Sequence, residues 1–240
     1  MKTKTVVLAA AALAAGAFSS MAQNVYSLNV VGYINVSLPT GFSLIANQLT
    51  GTDNKLNTVL GTNLTEGVQV VKWNSATQGF NQPDTFYSAA TAGTAGWYDS
   101  AFAPSTTTIN PGEGVFFLNP FAPTSVTLVG QVTQGSNNVP LVTGYSFVSV
   151  IPPVTVDIGT NGSLGLNLTD ASEGVQYLTF NSASQCYAQP LTFYSAATAG
   201  TRGWYDSSFA PAALLPAVGQ GFAILNPFAP LTWKNTFSVQ

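Results

Sequence analysis

A twenty-residue segment that occurs twice constrains the fold of this chain more than any other feature. Thr85–Pro104 reads TFYSAATAGTAGWYDSAFAP, and it returns at Thr192–Pro211 as TFYSAATAGTRGWYDSSFAP. Eighteen of the twenty positions are identical. The exceptions are Ala95/Arg202 and Ala101/Ser208. Because the spacing of 107 residues is the length of a small domain, this repeated segment predicts a tandem duplication of one domain-sized unit.

The N-terminus has the pattern of a secretory signal peptide. Lys2 and Lys4 form a basic start, Val6–Phe18 is an apolar run, and small residues up to Ala22 fit a cleavage point after it. The run is shorter than the roughly 20 apolar residues of a membrane-spanning helix. We therefore predict that residues 1–22 are removed and that the mature chain does not insert into a membrane. Its expected location is the extracellular space or the cell surface, with the periplasm as the alternative.

Charged side chains are scarce in this chain. They make up 6% of the residues, where about 25% is usual. Beyond the signal, nine acidic residues face four basic ones, which are Lys55, Lys72, Arg202 and Lys234. Cations so few and so widely spaced cannot form a phosphate-binding stripe, so we predict no nucleic-acid partner and no attraction to anionic lipid. A surface of Ser, Thr, Asn and Gln suits an extracellular β-protein.

Short apolar runs separated by Gly, Pro and Asn indicate strands joined by turns. Val115–Leu118 and Phe222–Leu225 are apolar at every position, as expected of strands buried on both faces. Val126–Val132 and Trp233–Val239 alternate between apolar and polar residues, as half-exposed strands do. No segment beyond the signal has helical periodicity. We predict an all-β fold of two tandem antiparallel modules, sandwich or barrel-like, with about six strands each.

The sequence around the module boundary does not determine the pairing partner of the strands that flank the modules. Val30–Ile34 resembles Leu128–Val132, so one type of strand flanks both modules, which we place at residues 23–139 and 140–240. Such strands either complete the sheets of the modules or leave an open edge that accepts a strand from another molecule. We expect closure.

Two short motifs recur in both halves of the chain. Gly41–Gln48 reads GFSLIANQ, a Trp-bearing strand follows, and Pro111–Phe117 reads PGEGVFF. These motifs resemble the Gly-Trp-Asn-Leu-Ile-Ser-x-Pro and Pro-Gly-x-Gly-aromatic repeats of a family of secreted bacterial β-proteins, over nearly the whole mature chain. The chain departs from that pattern at Phe42 and Ser43, where the family has tryptophan and asparagine. The resemblance implies an extracellular or surface β-module, a class whose activity is mostly unassigned.

The residue types present limit the chemistry of the chain. Histidine is absent, which removes Ser-His-Asp and Cys-His nucleophilic schemes and the usual zinc sites. No phosphate-binding loop or dinucleotide fingerprint occurs, and no Asp-rich run supplies the six or more oxygens that calcium needs. We therefore predict no enzyme, no cofactor and no metal ion. Cys186, whose counterpart is Gly79, is the single cysteine, and we expect a buried, inert thiol.

Two acidic positions are present in both halves of the chain, Glu66/Glu173 and Asp99/Asp206. Glycoside hydrolysis needs two carboxyl groups about 5–10 Å apart, one of them with a raised pKa. Glu66 with Asp99 could supply such a pair in the first half. In the alternative that we prefer, Glu66 lies in a turn and Asp99 accepts backbone hydrogen bonds.

The aromatic end of the repeated segment supplies the candidate ligand-binding residues. They are Trp97, Tyr98, Asp99, Trp204, Tyr205 and Asp206. In one interpretation each Trp-Tyr pair forms a flat platform for sugar rings, with hydrogen bonds from the neighbouring Asp. In the other, the rings fill the core beneath a loop of Gly and Ala, as aromatic residues usually do. We favour the core interpretation.

These observations favour one function over two alternatives. We expect a secreted or cell-surface, non-catalytic β-protein with a structural, adhesive or matrix role. Its expected partners are extracellular polysaccharide or other envelope and matrix proteins. The first alternative is a carbohydrate-binding protein that uses the paired Trp-Tyr-Asp sites, and the more distant one is a glycoside-processing enzyme.

Overall fold

The structure, a computed structural model, describes residues 30–239. The predicted signal peptide, residues 1–22, lies outside the described residues. Within them the chain forms eighteen strands, three four-residue α-helices and one short 3-10 turn. The predicted all-β antiparallel fold is confirmed, with nine short strands in each half where about six were expected. None of the helices in this part of the chain is long and apolar enough to cross a membrane.

From residue 30 onward, the first half contains nine strands and two helices. The strands are β1 (Val31–Leu38), β2 (Gly41–Ala46), β3 (Leu49–Thr50), β4 (Gln69–Asn74), β5 (Gly79–Phe80), β6 (Asp84–Tyr87), β7 (Gly96–Tyr98), β8 (Gly114–Asn119) and β9 (Thr124–Val132). The helices are α1 (Leu56–Val59) and α2 (Ala89–Ala92).

Up to residue 239, the second half contains nine strands, one helix and the 3-10 turn. The strands are β10 (Gly135–Leu141), β11 (Gly144–Val148), β12 (Gln176–Leu178), β13 (Phe180–Asn181), β14 (Cys186–Tyr187), β15 (Leu191–Tyr194), β16 (Gly203–Tyr205), β17 (Phe222–Asn226) and β18 (Leu231–Phe237). The helix is α3 (Ala196–Ala199), and the 3-10 turn spans Asp170–Ser172.

The main sheets of the two halves have corresponding strand orders. The first is β2-β8-β4-β6-β7, with β5 paired to β4, and the second is β11-β17-β12-β15-β16. β8 and β17 lie inside these sheets and are buried on both faces, because their residues are apolar at nearly every position. Gly41 and Gly144 begin β2 and β11 with φ of 94° and 90°, which places glycine at the turn before each strand.

In each half the last strand pairs with the first. β1 pairs with β9 from Val31↔Gln131 to Leu38↔Thr124, and β10 pairs with β18 in the same antiparallel manner. β3 adds to the other side of β9. These terminal strands form small sheets of their own, separate from the main sheets, so the expected completion of the main sheets by them is not observed. β10 crosses the boundary predicted between residues 139 and 140, and its partner β18 belongs to the second half.

Each half encloses a hydrophobic core of its own. Trp97, Phe86 and Phe117 are among the largest buried side chains of the first core, and Trp204 and Trp233 belong to the second. The inward side chains of the terminal strands β9 and β18 also enter these cores, which explains their alternating burial. The fold consists of two cores, each covered by antiparallel strands.

Backbone hydrogen bonds join the two halves in a reciprocal manner. Ala46 N donates to Gly219 O and Ser149 N donates to Gly112 O, both at 2.9 Å, and each pair is the counterpart of the other. Gly112 and Gly219 have φ of 93° and 79°, so these close approaches use a backbone conformation that favours glycine.

Two glutamines extend this reciprocity to the surface. Gln78 Oε1 accepts a hydrogen bond from Tyr145 N at 2.6 Å, and Gln185 Oε1 accepts one from Phe42 N at 2.8 Å. Each glutamine belongs to one half, and its backbone partner belongs to the other. The matched contacts relate the two halves by an approximate two-fold axis.

Candidate functional site

The tryptophans of the repeated segment are buried in the cores. Trp97 is 1% exposed and Trp204 is 4% exposed. Trp97 lies on β7 opposite Phe86 of β6, with ring centroids 5.8 Å apart, and its Nε1 donates to Gly61 O at 3.3 Å. Neither indole has an exposed face on which a sugar ring could stack, so the platform interpretation does not fit Trp97 or Trp204.

The neighbouring tyrosines are also enclosed. Tyr98 and Tyr205 are 8% and 6% exposed, and their hydroxyls donate to Thr94 O at 2.9 Å and to Thr201 O at 2.7 Å. Each hydrogen bond joins a strand to the last part of the loop of small residues that precedes it. The tyrosine hydroxyls thereby hold this loop against the sheet and have no direct access to a ligand.

The aspartates shape the turn that follows the tyrosines. Asp99 Oδ1 accepts hydrogen bonds from Ala101 N and Ala103 N, both at 2.9 Å. Asp206 Oδ1 makes the same two bonds, to Ser208 N and Ala210 N. The expectation that Asp99 accepts backbone hydrogen bonds is confirmed. In both turns Oδ2 makes no hydrogen bond to any residue from 30 to 239, which leaves it open as an acceptor.

This turn presents an aromatic side chain that the sequence analysis did not select. Phe102 is 49% exposed, and its φ of 62° lies in the left-handed region that bulky residues rarely adopt. Its ring stacks on Tyr98 with centroids 5.2 Å apart, and it meets Tyr87 edge-on at 4.9 Å. The Tyr87 hydroxyl has no hydrogen-bond partner among the described residues. We call Tyr87, Tyr98 and Phe102 the surface aromatic cluster.

The second half repeats this cluster in detail. Phe209 is 46% exposed with φ of 64°, stacks on Tyr205 at 5.1 Å and contacts Tyr194 at 4.8 Å. A residue of this size in the left-handed region costs of order 1–3 kcal/mol. Sequence reasoning missed these phenylalanines because it selected the larger tryptophans. One signal could have identified them. The two copies of the repeated segment stay nearly identical beyond the buried Trp-Tyr pairs, through the Phe-Ala-Pro that contains Phe102 and Phe209.

The glutamates cap the short helices that lie inside the repeated segment. Glu66 accepts hydrogen bonds from the backbone and hydroxyl of Ser88 and from the hydroxyl of Thr91, at the start of α2. These bonds, that from the Ser88 side chain first, lower the pKa of Glu66. In the second half, Ser195 and then Thr198 lower the pKa of Glu173 in the same way. The expected turn at Glu66 is present, with Val68 N bonded to Thr65 O.

Cys186 corrects one expectation. The residue lies on the two-residue strand β14 and is exposed, where a buried thiol was predicted. Its Sγ lies 3.1 Å from Ser184 Oγ. The exposure follows from the position of β14 in a small hairpin with β13, outside both cores.

Potential metal ligands do not cluster in the described part of the chain. From residue 30 to residue 239, no group of three or more His, Cys, Asp or Glu side chains is close enough to share a metal ion. Comparison with protein-family models, with curated proteins and with solved structures gives no match. The two surface aromatic clusters and their neighbouring polar atoms are therefore the features of the molecule that bear on function.

Proposed function

We propose that this protein is a secreted or cell-surface, non-catalytic β-protein with an adhesive or matrix role. The observation that carries this proposal is the duplicated surface aromatic cluster, because one chain presents the same half-exposed phenylalanine in both halves. Two equal contact points on one chain allow bivalent attachment, which raises the overall affinity for a repetitive surface well above that of either point. The scarcity of charged side chains, 6% of the residues, supports an extracellular setting.

Backbone strain supports a role for the cluster beyond packing. Phe102 and Phe209 keep left-handed backbones although glycine or asparagine would adopt them at lower cost. The rings remain about half exposed, so burial offsets only part of that cost. An energetically unfavourable residue that is present twice, on the surface, is characteristic of a functional site.

Carbohydrate is the second candidate partner, and a specific observation favours it. The ring of Tyr87 contacts Phe102, and Asp99 shapes the turn that carries Phe102. The Tyr87 hydroxyl and Asp99 Oδ2 have no hydrogen-bond partners among the described residues. An exposed ring face with a donor and an acceptor matches the apolar face and hydroxyl groups of a sugar ring. This alternative transfers the sugar-binding role from Trp97 to Phe102 and retains Asp99.

The glycoside-processing alternative has less support. A retaining or inverting glycosidase needs one carboxylic acid with a raised pKa, whereas hydrogen bonds lower the pKa of both Glu66 and Glu173. Asp99 and Asp206 are engaged by the backbone N–H groups of their own turns. We propose that all four carboxylates have structural roles.

Sedimentation with the cell-envelope or matrix fraction of the producing organism tests the adhesive role. We expect the mature protein to co-sediment, and the double variant Phe102→Ala/Phe209→Ala to lose at least about tenfold of that affinity, because both contact points are removed. Each single variant should lose less. Phe121→Ala/Phe228→Ala is the matched control, because these phenylalanines are also paired between the halves and are each 40% exposed.

Two results would separate the adhesive role from the carbohydrate alternative. A wild-type protein that never sediments with cells or matrix contradicts the adhesive role. A glycan array tests the alternative directly: binding that depends on Phe102 and Phe209 supports it, and the absence of binding to any polysaccharide rejects it while leaving protein partners in place.

A further inference from the structure

Aromatic side chains from both halves meet near the approximate two-fold axis and leave an open cleft of about 300 Å³. Five rings line the cleft, Phe42, Phe80, Phe116, Phe180 and Tyr187. Phe116 forms its floor, because it is 7% exposed and its centroid lies 5.0–6.3 Å from the other four rings. We call this space the interhalf cleft.

The walls of the interhalf cleft are unusually exposed for aromatic residues. Phe42, Phe80 and Tyr187 have exposed fractions of 37%, 49% and 40%. Among residues 30–239, no charged side chain lines the cleft. Because covering apolar surface is favourable by about 25 cal/mol per Å², these walls favour an uncharged occupant. The location between two packed units is also one where ligand sites commonly occur.

The size of the cleft favours a small molecule over a second copy of the chain. The exposed parts of the three wall rings amount to on the order of 250 Å², given about 200 Å² for a whole aromatic side chain. A stable protein interface buries about 800 Å² on each partner. The surface is also concave around Phe116, which suits an inserted group better than a flat partner.

The arrangement of the rings favours an aromatic occupant. Phe116 meets the other four rings of the cleft at interplanar angles of 68° to 88°, so these four contacts are edge-to-face. A further aromatic ring placed above Phe116 can make the same kind of contact, which is worth about 0.5–1.5 kcal/mol per pair beyond the area covered. A saturated ring of equal size would lack that contribution.

Two polar residues that line the cleft, Gln185 and Tyr187, can orient such an occupant. The Tyr187 hydroxyl makes no hydrogen bond to any residue from 30 to 239, and burial, with a smaller contribution from Tyr145, raises the pKa of Tyr187 to about 12. The hydroxyl therefore stays protonated at neutral pH and can donate. Gln185 Oε1 accepts one hydrogen bond, from Phe42 N, and retains a second lone pair.

We propose that the interhalf cleft binds a small uncharged molecule built on one or two aromatic rings with a single hydrogen-bonding substituent. This site is separate from the surface aromatic clusters and does not depend on the adhesive role. Its ring contacts come from Phe116 and the exposed walls, and its polar contact comes from Tyr187.

Calorimetric titration of the mature protein with 1-naphthol tests the proposal. We expect one bound molecule with a Kd on the order of 0.1 mM, as the small number of atoms allows. Decahydro-1-naphthol has the same skeleton without aromaticity and should bind at least about tenfold more weakly. A folded wild-type protein that does not bind 1-naphthol, or that binds both compounds equally, overturns the proposal.

The approximate two-fold symmetry supplies a matched pair of variants. Val71 lines the interhalf cleft, and its counterpart Leu178 lines a sister hollow of about 200 Å³ on the other side of Phe80 and Tyr187. Val71→Phe should weaken 1-naphthol binding at least about tenfold by occupying the cleft, while Leu178→Phe should change it by less than about twofold. The opposite order would place the ligand in the sister hollow and contradict the proposal.

If Val71→Phe does not fold, the conservative variant Tyr187→Phe still tests binding in the interhalf cleft. Tyr187→Phe keeps the ring and removes only the hydroxyl, so circular dichroism should be unchanged. We expect its affinity for 1-naphthol to fall about three- to tenfold, the usual loss for one neutral hydrogen bond. Unchanged affinity in a folded Tyr187→Phe protein would reject the proposed polar contact.

Discussion

The tryptophans and the phenylalanines of the repeated segment differ in burial although they lie only a few residues apart. We call Trp97 and Trp204 the inner layer, and Phe102 and Phe209 the outer layer. Trp97 and Trp204 are 1% and 4% exposed, while Phe102 and Phe209 are 49% and 46% exposed. The rings of the inner layer are fully enclosed by the two cores, so packing accounts for their presence in both halves. The outer layer has a strained backbone and little burial, so packing alone does not account for it. One stretch of near-identity therefore has two separate physical causes.

The strongest test of this contrast is removal of an inner ring. Trp97→Ala should lower the free energy of unfolding by about 3–5 kcal/mol, because it leaves a cavity beside Phe86 and Phe117. Trp204→Ala should act similarly in the second half. Urea denaturation followed by circular dichroism measures the loss. A cost below about 1 kcal/mol for either variant would show that the inner layer is not a packing element.

The turn between the two layers should have an intermediate effect. Asp99→Ala removes the acceptor of two backbone hydrogen bonds, so we expect it to lower the free energy of unfolding by about 1–3 kcal/mol. Asp99→Asn retains an Oδ1 acceptor and should lose distinctly less. The same denaturation experiment compares them, and equal losses would mean that the carboxylate charge, not the turn geometry, stabilises this site.

Removal of an outer ring should have the smallest effect on neutral-pH stability. Phe102→Gly should change the free energy of unfolding by less than about 1 kcal/mol, because relief of the left-handed backbone offsets the lost ring contacts. Attachment to matrix should nevertheless fall. If Phe102→Gly were as damaging as Trp97→Ala, the two layers would be one structural unit and the comparison would fail.

Local hydrophobic patterns were sufficient to predict the strands whose burial shows directly in the order of their residues. β8 and β17 were predicted from continuous apolar runs, and β9 and β18 from alternation, since these patterns report directly on the faces of a strand. β10 was missed because GSNNVPL carries polar residues and a proline, and only its pairing with β18 makes it a strand.

The site residues that the sequence did not predict depend on an unusual local backbone conformation or on contacts between distant segments. The φ of Phe102 is set by a turn closed around Asp99, and residue type gave no warning because phenylalanine rarely adopts that conformation. The interhalf cleft joins Phe42 to Tyr187, which come from opposite halves of the chain. Such a site exists only once the approximate two-fold arrangement has formed, and single-sequence periodicity carries no information about it.

The glutamates that cap α2 and α3 should make the folding stability of the repeated segments depend on pH in the acid range. Hydrogen bonds from Ser88 and Ser195 lower the pKa of Glu66 and Glu173 in the folded state. A carboxyl whose folded pKa lies below its unfolded value contributes stability that is complete above the unfolded value, near 4.3. That contribution is lost as the pH falls through the folded pKa. Wild-type stability should therefore drop below about pH 5.

The double variant Glu66→Gln/Glu173→Gln isolates this contribution. At pH 7 it should be slightly less stable than wild type, and the gap should narrow as the pH is lowered, because the wild-type carboxylates become protonated and lose their advantage. Denaturant midpoints between pH 3 and pH 7 measure the gap. Both glutamates hold the helices that precede the Trp-Tyr strands. A stability difference that narrows at low pH would therefore mean that these helices, like the buried tryptophans, contribute to stability. A gap that stays constant with pH would instead mean that shape alone, not ionisation, determines how these caps work.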